Sequence, residues 1–247
     1  MRDYALEIQK RVAFIREVLD SAGAGGIVYG NSGGKDSTLV GILCKKACDN
    51  TVGLIMPCGS RRNYEEDKQD AETAARLFNI ELRTVDLTAV RSAFVDALTD
   101  EAALNEAALA NIAPRLRMTA LYAVAASENR LVAGTGNRSE YYMGYFTKWG
   151  DGAYDFNPVA DLTVSEIYEF LRFLNVPESL IKKAPSAGLY DGQTDEGEMG
   201  ISYKIIDEFL QTGRVSDEER KIIEIYHDTS CHKRRLPQVF KGQNATN

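Results

Sequence analysis

The chain has 247 residues, of which 44% are hydrophobic and 26% charged, a composition typical of soluble globular proteins. Its formal net charge of −7 argues against sequence-independent binding to nucleic acid, because such binding requires a basic surface. The sequence shows neither a secretory signal nor an apolar run of membrane-spanning length, and its four cysteines form no Cys-x-x-Cys pair. We therefore expect a cytoplasmic protein without membrane contact.

The pattern of apolar residues predicts four strands that alternate with helices. In chain order it predicts a helix over 4–20, a strand over 26–30, a helix over 36–48, a strand over 52–56, a helix over 65–78, a strand over 82–86, a helix over 88–98, a long helix or two over 102–128, broken near Pro114, and a strand over 131–134. Loops are expected over 135–160 and 177–200, with helices over 163–174, 200–211 and 217–229. This alternation predicts an α/β fold, a doubly wound parallel sheet flanked by helices, with C-terminal helices.

A glycine-rich turn joins the first predicted strand to the following helix. It reads Ser32-Gly33-Gly34-Lys35-Asp36-Ser37, and a strand, a turn and a helix in this order present backbone N–H groups to a phosphate. A Walker-type loop has Ser or Thr directly after its lysine, whereas Asp36 stands there. A carboxylate beside phosphates indicates a divalent metal ion between the two, although Asp36 could also serve as the N-cap of the helix.

Three further segments carry candidate functional residues. Segment 134–140 follows the fourth predicted strand, so we expect Glu140 and Asp36 to face one pocket as a magnesium pair, although glycine-rich turns after strands are also common without function. Segment 148–155 is an aromatic, charged loop that would stack on a ring or bond a ribose, or else is a surface turn. Arg115 and Arg117 would bind phosphate or a carboxylate, or remain solvated helix charges.

The cysteines and the basic run near the end of the sequence each admit two interpretations. Cys44 and Cys48 lie one helical turn apart and could share a metal ion with Cys231 and His232, although packed core positions are the simpler assignment. The run over 232–235 would suit nucleic acid, but a solvated charged face agrees better with the acidic balance. The sequence supports no Ser-His-Asp or Cys-His triad.

Taken together, the motifs resemble ammonia-dependent NAD synthetase, a family of the N-type ATP pyrophosphatase superfamily. The segments that carry the resemblance span most of the chain, at 32–37, 112–118, 134–140, 148–155, 185–189, 192–196 and 232–233. The first segment is shared across the superfamily, whereas the later ones in this order are specific to NAD synthetase. The resemblance implies an adenine nucleotide alpha hydrolase-like fold, one synthetase domain over 1–247, and a homodimer whose dinucleotide site lies near the subunit interface.

The resemblance also implies a reaction and a set of site residues. The reaction is the ATP-dependent amidation of deamido-NAD (nicotinic acid adenine dinucleotide) to NAD by ammonia, through an adenylated intermediate, with release of AMP and pyrophosphate. ATP would contact Gly30, Asn31, Ser32, Gly33, Gly34, Lys35, Asp36, Ser37, Thr135 and Ser186. Deamido-NAD would contact Arg115, Lys148, Asp155, His232 and Lys233. Asp36 and Glu140 would hold Mg²⁺, and the catalytic residues would be Asp36, Glu140 and Lys148.

Two positions depart from the family pattern. Val164 stands where the family often has a lysine that contributes to ATP binding, and Pro114 precedes Arg115 where a small helix-forming residue is usual, so a kink is expected there. The 247 residues leave no room for the amidase domain of glutamine-dependent relatives, so we expect free ammonia as the nitrogen donor. Loops 138–155 and 186–200 are expected to be mobile without ligand and ordered with it. A tRNA-modifying enzyme of the same superfamily and a non-catalytic nucleotide-binding module remain the alternative hypotheses.

Overall fold

Four parallel strands form one sheet in this computed structural model, which describes residues 2–59, 66–181 and 194–240. The strands are β1 (Gly26–Gly30), β2 (Thr51–Ile55), β3 (Glu81–Thr84) and β4 (Arg130–Ala133), in the spatial order β3-β2-β1-β4. Val28 of β1 pairs with Val52 of β2 on one side and with Val132 of β4 on the other. The predicted parallel sheet is therefore confirmed, with β1 at its centre.

Helices cover both faces of the sheet and extend beyond it. In chain order the helices of the described residues are α1 (Tyr4–Ala22), α2 (Lys35–Ala47), α3 (Glu66–Leu77), α4 (Thr88–Thr99), α5 (Glu106–Ser127), α6 (Arg138–Met143), α7 (Val164–Phe173), α8 (Glu178–Ile181), α9 (Asp195–Met199), α10 (Tyr203–Thr212) and α11 (Asp217–Thr229), followed by a 3-10 turn (Cys231–Lys233).

The central strand β1 divides the core because successive side chains of a strand point to opposite faces. Ile27 and Tyr29 pack into a cluster with α1, α2 and α7, whereas Val28 packs into a second cluster with β2, β4 and α5. The Tyr29 ring fits beneath α2 because position 41 is glycine: a Cβ on Gly41 would lie 2.3 Å from the Tyr29 hydroxyl oxygen. Helices on both faces confirm the doubly wound arrangement.

A third apolar cluster joins the C-terminal helices to the sheet. It contains Met143 of α6, Val164 of α7, Ile206 of α10 and Ile223 of α11, all with at most 3% of their surface exposed. This cluster fixes α6 directly after β4, where a loop was expected. Val164, the position where the family often has a lysine, is thus a core residue and does not line the cavity described below.

The structure corrects two expectations about the loops. The segments predicted as loops over 135–160 and 177–200 contain α6, α8 and α9, which are short helices of four to six residues. An apolar pattern needs several turns to become recognisable, so helices of this length leave little periodicity in the sequence. Their N-caps, Asn137 for α6 and Thr194 for α9, accept backbone hydrogen bonds and account for where these helices begin.

The stretch over 102–128 contains one continuous helix, α5, rather than two helices broken near Pro114. Pro114 lies inside α5 and is buried, and a Cβ on Gly150 would come within 2.9 Å of the Pro114 Cβ. This close packing offsets the backbone hydrogen bond that a proline cannot donate. Phe156 forms an isolated β-bridge with Ala133 of β4. Because position 150 is glycine, the loop that precedes Phe156 can close over α5.

Candidate active site

A cavity of about 700 Å³ opens at the carboxyl ends of the strands. Its walls come from the glycine-rich loop, the end of β2, one face of α5, the segment after β4, and the C-terminal helices. In open parallel sheets this edge is where ligands bind, because the loops that follow the strands converge there. The two glycine-rich segments that the sequence analysis placed after β1 and β4 therefore line one space.

The glycine-rich loop leads into α2 with its helix N-terminus on the cavity. Gly33 has a φ of 73°, which glycine adopts readily, and Gly34 is the N-cap of α2 without a side-chain cap hydrogen bond. The buried side chain of Asn31 accepts a hydrogen bond from the Gly33 N–H at 3.2 Å and so helps to shape the turn. An uncapped helix N-terminus at a cavity is suited to binding an anion such as phosphate.

Asp36 lies inside the first turn of α2, so the interpretation of Asp36 as the N-cap is wrong. Its carboxylate instead accepts a hydrogen bond from the Lys35 ammonium at 2.7 Å. The same ammonium lies 3.9 Å from Oε1 of Glu140, on α6. We refer to Lys35, Asp36 and Glu140 as the loop cluster. Their side chains are only 6%, 16% and 17% exposed, and all three line the cavity.

The loop cluster has one cation between two carboxylates, and this imbalance alters the acidity of its members. Burial raises the pKa of Glu140, and the neighbouring Asp36 charge raises it further, well above its ordinary value. Burial lowers the pKa of Lys35, but the carboxylates of Asp36 and Glu140 outweigh it, so that the net pKa is raised. A second cation that contacts the carboxylates of both Asp36 and Glu140 would therefore be stabilised there.

Asn137 is a buried residue of this site that the sequence analysis did not single out. Its side chain is fully buried and donates a hydrogen bond from Nδ2 to Oδ1 of Asp36 at 3.1 Å. It also forms a capping box with Glu140, in which each residue accepts a backbone N–H of the other at 3.0 Å. Asparagine three residues before glutamate resembles a capping box, a sequence pattern that could have indicated both the helix and this pairing.

Asp195 and Tyr203 extend the acidic side of the cavity. Asp195 lines the cavity, is 4% exposed, and accepts a hydrogen bond from the Tyr203 hydroxyl at 3.0 Å. The Lys35 ammonium lies 5.6 Å from the centre of the Tyr203 ring, within the range of a cation–π contact. Asp195 belongs to a segment that carries the family resemblance, but its position on the cavity follows only from the fold.

Only some of the residues that are predicted to contact the dinucleotide line the cavity. Lys233 lines it, and its ammonium donates to the carbonyls of Gly144 and Phe146, both at 2.8 Å. Lys148 and His232 do not line the cavity but contact each other, since the Lys148 ammonium donates to the His232 carbonyl at 2.8 Å. These residues thus form a connected rim beside the cavity.

Asp155 does not line the cavity, and its side chain is hydrogen-bonded to β4 and to α5 instead. Its carboxylate accepts hydrogen bonds from the Val132 N–H at 2.7 Å and from the Tyr122 hydroxyl at 3.2 Å. Trp149, in the same segment, is half exposed, has a φ of 62°, and lies beneath the Lys148 ammonium at 5.4 Å from its ring centre. The segment over 148–155 therefore forms a turn that lines the cavity with Gly150, Asp151 and Ala153 and keeps the Trp149 ring accessible.

The two arginines of α5 have different surroundings. Arg117 lines the cavity and donates from Nε to the Met56 carbonyl at 3.0 Å, at the end of β2, so its interpretation as a solvated charge is wrong. Arg115 is exposed and does not line the cavity. Of the two remaining ATP candidates, Thr135 lines the cavity, whereas Ser186 lies outside the described residues.

The alternative metal site at the cysteines is not formed. Cys44 is fully buried in the core, whereas Cys231 is exposed, and no group of three or more His, Cys, Asp and Glu side chains among residues 2–59, 66–181 and 194–240 is arranged to hold a metal ion. A cation bound by Asp36 and Glu140 would thus need further oxygen ligands from a substrate or water. Within the same ranges, no helix is long and apolar enough to cross a bilayer.

Comparison with known proteins shows the family of this chain. The sequence profile of the NAD synthase family matches residues 7–246. The chain belongs to the NAD synthase family. It is 48% identical over 234 residues to the NH(3)-dependent NAD(+) synthetase of Carboxydothermus hydrogenoformans, an alignment that covers 94% of this chain and 95% of the relative. The resemblance stated from the sequence motifs is confirmed.

Two solved structures share the fold of this NAD synthase family member over nearly its whole length. The NMN synthetase from Francisella tularensis has a TM-score of 0.92 at 38% identity and covers 98% of this chain and 100% of its own. The NH3-dependent NAD synthetase from Campylobacter jejuni has a TM-score of 0.80 at 30% identity, with the same coverage. The predicted adenine nucleotide alpha hydrolase-like fold is thus confirmed.

Proposed function

We propose that the protein is an ammonia-dependent NAD synthetase, a ligase that uses ATP to convert the nicotinate carboxylate of deamido-NAD into the amide of NAD. The observation that carries this proposal is the loop cluster: two largely buried carboxylates share one lysine at the uncapped N-terminus of α2, inside a cavity large enough for a nucleotide. The relatives named as NH(3)-dependent NAD(+) synthetases support the choice of reaction.

The proposed chemistry has two steps. A carboxylate oxygen of deamido-NAD attacks the α-phosphorus of ATP, the bond to the bridging oxygen breaks, and pyrophosphate leaves. Ammonia then attacks the acyl carbon of the adenylate, loses a proton, and displaces AMP. The first step brings two anions together and both steps release an anionic phosphate, so the Lys35 ammonium and the loop N–H groups would stabilise the charge that develops on the leaving phosphates. No protein nucleophile is required, and the remaining task is to position two substrates.

Asp36 and Glu140 would hold Mg²⁺ in this proposal. The donor set fits a hard divalent ion, because two carboxylates already face a single cation, the Lys35 ammonium, at 2.7 and 3.9 Å. When bound, the ion would withdraw charge from the phosphate oxygens of ATP. The protein's own part is to keep the two carboxylates close together and out of bulk water, which their low exposure supports.

The remaining substrate contacts follow the family resemblance. We propose that ATP lies against the residues of the loop and the two further candidates, Gly30, Asn31, Ser32, Gly33, Gly34, Lys35, Asp36, Ser37, Thr135 and Ser186. Deamido-NAD would lie towards Arg115, Lys148, Asp155, His232 and Lys233, with Lys148 in a catalytic role. Lys233 supports this placement, because it lines the cavity beside Phe146 and Gly144.

We propose further that 1–247 act as one synthetase domain within a homodimer in the cytoplasm. Helix α4 has no buried residue although Val90 and Phe94 are apolar and half exposed, and it packs against α5. Arg115 is exposed on α5 and does not line the 700 Å³ cavity, as expected if a second copy completes the dinucleotide site. Four free cysteines agree with a reducing compartment.

Light scattering of the purified protein tests the dimer. A wild-type mass of two chains that falls to one chain in Phe94→Glu is the expected result, because a charge on the exposed apolar face of α4 would oppose pairing. Phe173→Glu, at a similarly exposed phenylalanine on α7, is the matched control and should remain dimeric. A monomeric wild type would contradict the proposal.

A pyrophosphate-release assay tests the reaction. With ATP, Mg²⁺ and deamido-NAD, the protein should release pyrophosphate, and NAD should form only when ammonia is added. Glutamine should not replace ammonia, and efficient glutamine use by the purified chain would overturn ammonia as the donor. ATP binding without pyrophosphate release would favour a nucleotide-binding module, and silence under every condition would reject the synthetase.

A second candidate substrate is the mononucleotide of nicotinic acid. The observation that favours it is the TM-score of 0.92 to a structure described as an NMN synthetase, higher than the 0.80 to an NAD synthetase. The two acceptors undergo the same carboxylate chemistry and differ in the adenylate half alone. Measuring kcat/KM for both acceptors under the same conditions decides between them, and we expect deamido-NAD to be preferred because the more identical relatives are named for NAD.

A further inference from the structure

Asn137 connects the two carboxylates of the loop cluster although they belong to different elements. Asp36 is on α2, Glu140 is on α6, and Asn137 lies 101 positions after Asp36 in the chain. The Asn137 amide donates to Oδ1 of Asp36 at 3.1 Å, while its own oxygen and backbone N–H pair with Glu140 at 3.0 Å each. The residue is fully buried, so water cannot substitute for these bonds without entering the core.

The other capping boxes of the chain show that this connection is not needed to begin a helix. Thr163 caps α7 and Ser216 caps α11, each with a glutamate three residues later, and Asn105 caps α5 through its side-chain oxygen. Serine and threonine thus perform the same capping task elsewhere in this protein. What distinguishes Asn137 is the second, donating group of its amide, which reaches a carboxylate on another helix.

We propose that Asn137 is a positioning residue that holds the carboxylates of Asp36 and Glu140 side by side for one divalent cation; this rests on the proposed metal role of these carboxylates. Two largely buried carboxylates repel each other, and of the two only Asp36 lies within hydrogen-bond distance of the Lys35 ammonium. The Asn137 amide offsets this repulsion by donating to Asp36 on one side while its backbone N–H donates to Glu140 on the other. The spacing of the pair therefore persists before any metal ion binds.

Loss of the amide donor should weaken metal binding more than it weakens the fold. In Asn137→Ser the hydroxyl can still cap α6, as Ser216 caps α11, but it is too short to bond Asp36 in the same way. Residues that orient metal ligands typically contribute about 10–100-fold in metal affinity or activity. We expect a decrease of that size in the affinity for Mn²⁺ in the presence of ATP, and a matching rise in the Mg²⁺ concentration needed for activity.

Electron paramagnetic resonance of Mn²⁺ with ATP, without deamido-NAD or ammonia, measures the binding. Asn105→Ser is the matched control, because it makes the same change at an N-cap of α5 and should bind Mn²⁺ like the wild type. Asn137→Thr repeats the test with a larger side chain that fills more of the buried site, as Thr163 does at α7. Circular dichroism and thermal melting report whether each variant is folded.

The outcomes separate this inference from the proposed function. Folded Asn137 variants with wild-type Mn²⁺ affinity would overturn it, and so would failure of both variants to fold, because the residue would then serve the structure alone. Absence of amidation in a wild type that binds Mn²⁺ with ATP would reject the synthetase and leave the positioning role testable. A wild type that does not bind Mn²⁺ with ATP would overturn the inference directly.

Discussion

The loop cluster can be compared with a second group of charges, which lies between α1 and the segment leading into α7. This second group, the helix cluster, consists of Arg2, Glu7, Arg11, Asp161 and Glu166. Its carboxylates are matched closely: Arg11 contacts both oxygens of Asp161 at 2.7 and 2.9 Å and Glu7 at 2.7 Å, and Arg2 contacts Glu166 at 2.7 Å. In the loop cluster, two carboxylates share the Lys35 ammonium, and Oε1 of Glu140 lies 3.9 Å from it.

The two clusters shift the pKa of a carboxylate in opposite directions. Partial burial alone would raise the pKa of Asp161, but the hydrogen bonds and charges of Arg11 and Arg2 outweigh it, and the net pKa is lowered. Burial and the charge of Asp36 raise the pKa of Glu140. A carboxylate with a lowered pKa stabilises the folded state when ionised, whereas one with a raised pKa is kept at a cost to stability. These opposite shifts agree with a structural role for the helix cluster and with the proposed metal-binding role of the loop cluster.

The largest expected effect comes from Asp36→Asn, which removes one of the two carboxylates that we propose to bind the metal ion. Activity with ATP and deamido-NAD should fall at least about 100-fold, because a bound metal ion contributes several kcal/mol to a phosphoryl-transfer transition state. The fold should persist, since Gly34 and not Asp36 is the N-cap of α2. Pyrophosphate release and thermal melting measure the two effects.

Asp217→Asn is the matched control for that variant. Asp217 is an exposed aspartate in the first turn of α11, so its substitution reproduces the loss of a favourable charge near a helix N-terminus, a change of about 0.3–1 kcal/mol. Unfolding of Asp36→Asn beyond this amount would mean that the carboxylate supports the fold, and the contrast between the clusters would then fail.

The helix cluster predicts a pH-dependent loss of stability in Asp161→Asn. The free energy of unfolding of the variant should be about 1–2 kcal/mol lower than that of the wild type near pH 7, because the buried Arg11 loses one of its two carboxylate partners. The loss is limited to this size because Asp161 is half exposed. The lowered pKa means that the stabilisation is fully present above the ordinary value of 3.8 and is lost as the pH falls through the folded-state value. Denaturant unfolding at several pH values should show the wild type and the variant converging below about pH 4.

An exposed ion pair supplies the control for this prediction. Arg172 and Glu178 are 3.2 Å apart with about half of each side chain exposed, so Glu178→Gln should change stability by less than about 0.5 kcal/mol at any of these pH values. If Asp161→Asn behaves like Glu178→Gln, the helix cluster contributes no more than a surface pair.

The sequence predicted the sheet and the approximate position of the site because both depend on local patterns. Ile27, Val28 and Tyr29 form an apolar run that ends in glycine, and in a parallel sheet such strand ends converge. The meeting of Asp36 and Glu140 on one cavity followed from that rule alone.

The sequence could not predict which arginine of α5 lines the cavity, nor the role of Asn137. Residues 115 and 117 are two positions apart, about 200° around a helix, so they lie on different faces, and only the packing of α5 decides which face meets the cavity. The bond from Asn137 to Asp36 joins residues 101 positions apart, and no local pattern encodes it. Short α6 also lacks the turns that periodicity needs.

The sharpest contrast with Asp161→Asn, a small gain in stability instead of a loss, is expected for Glu140→Gln in the absence of metal ions. Glutamine keeps the capping box with Asn137 but removes a buried charge that faces Asp36, so the free energy of unfolding in the presence of a chelator should rise by about 0.5–1 kcal/mol. Amidation should be lost in the same variant. Glu219→Gln changes the same position of the capping box of α11, where hydrogen bonds from Ser216 lower the pKa of the carboxylate instead of raising it, and should bring no such gain. A carboxylate whose removal stabilises the protein while abolishing its activity is retained for chemistry, and an unchanged or lower stability of Glu140→Gln would mean that Lys35 already stabilises the carboxylates of the loop cluster as well as the close hydrogen bonds of Arg2 and Arg11 stabilise those of the helix cluster.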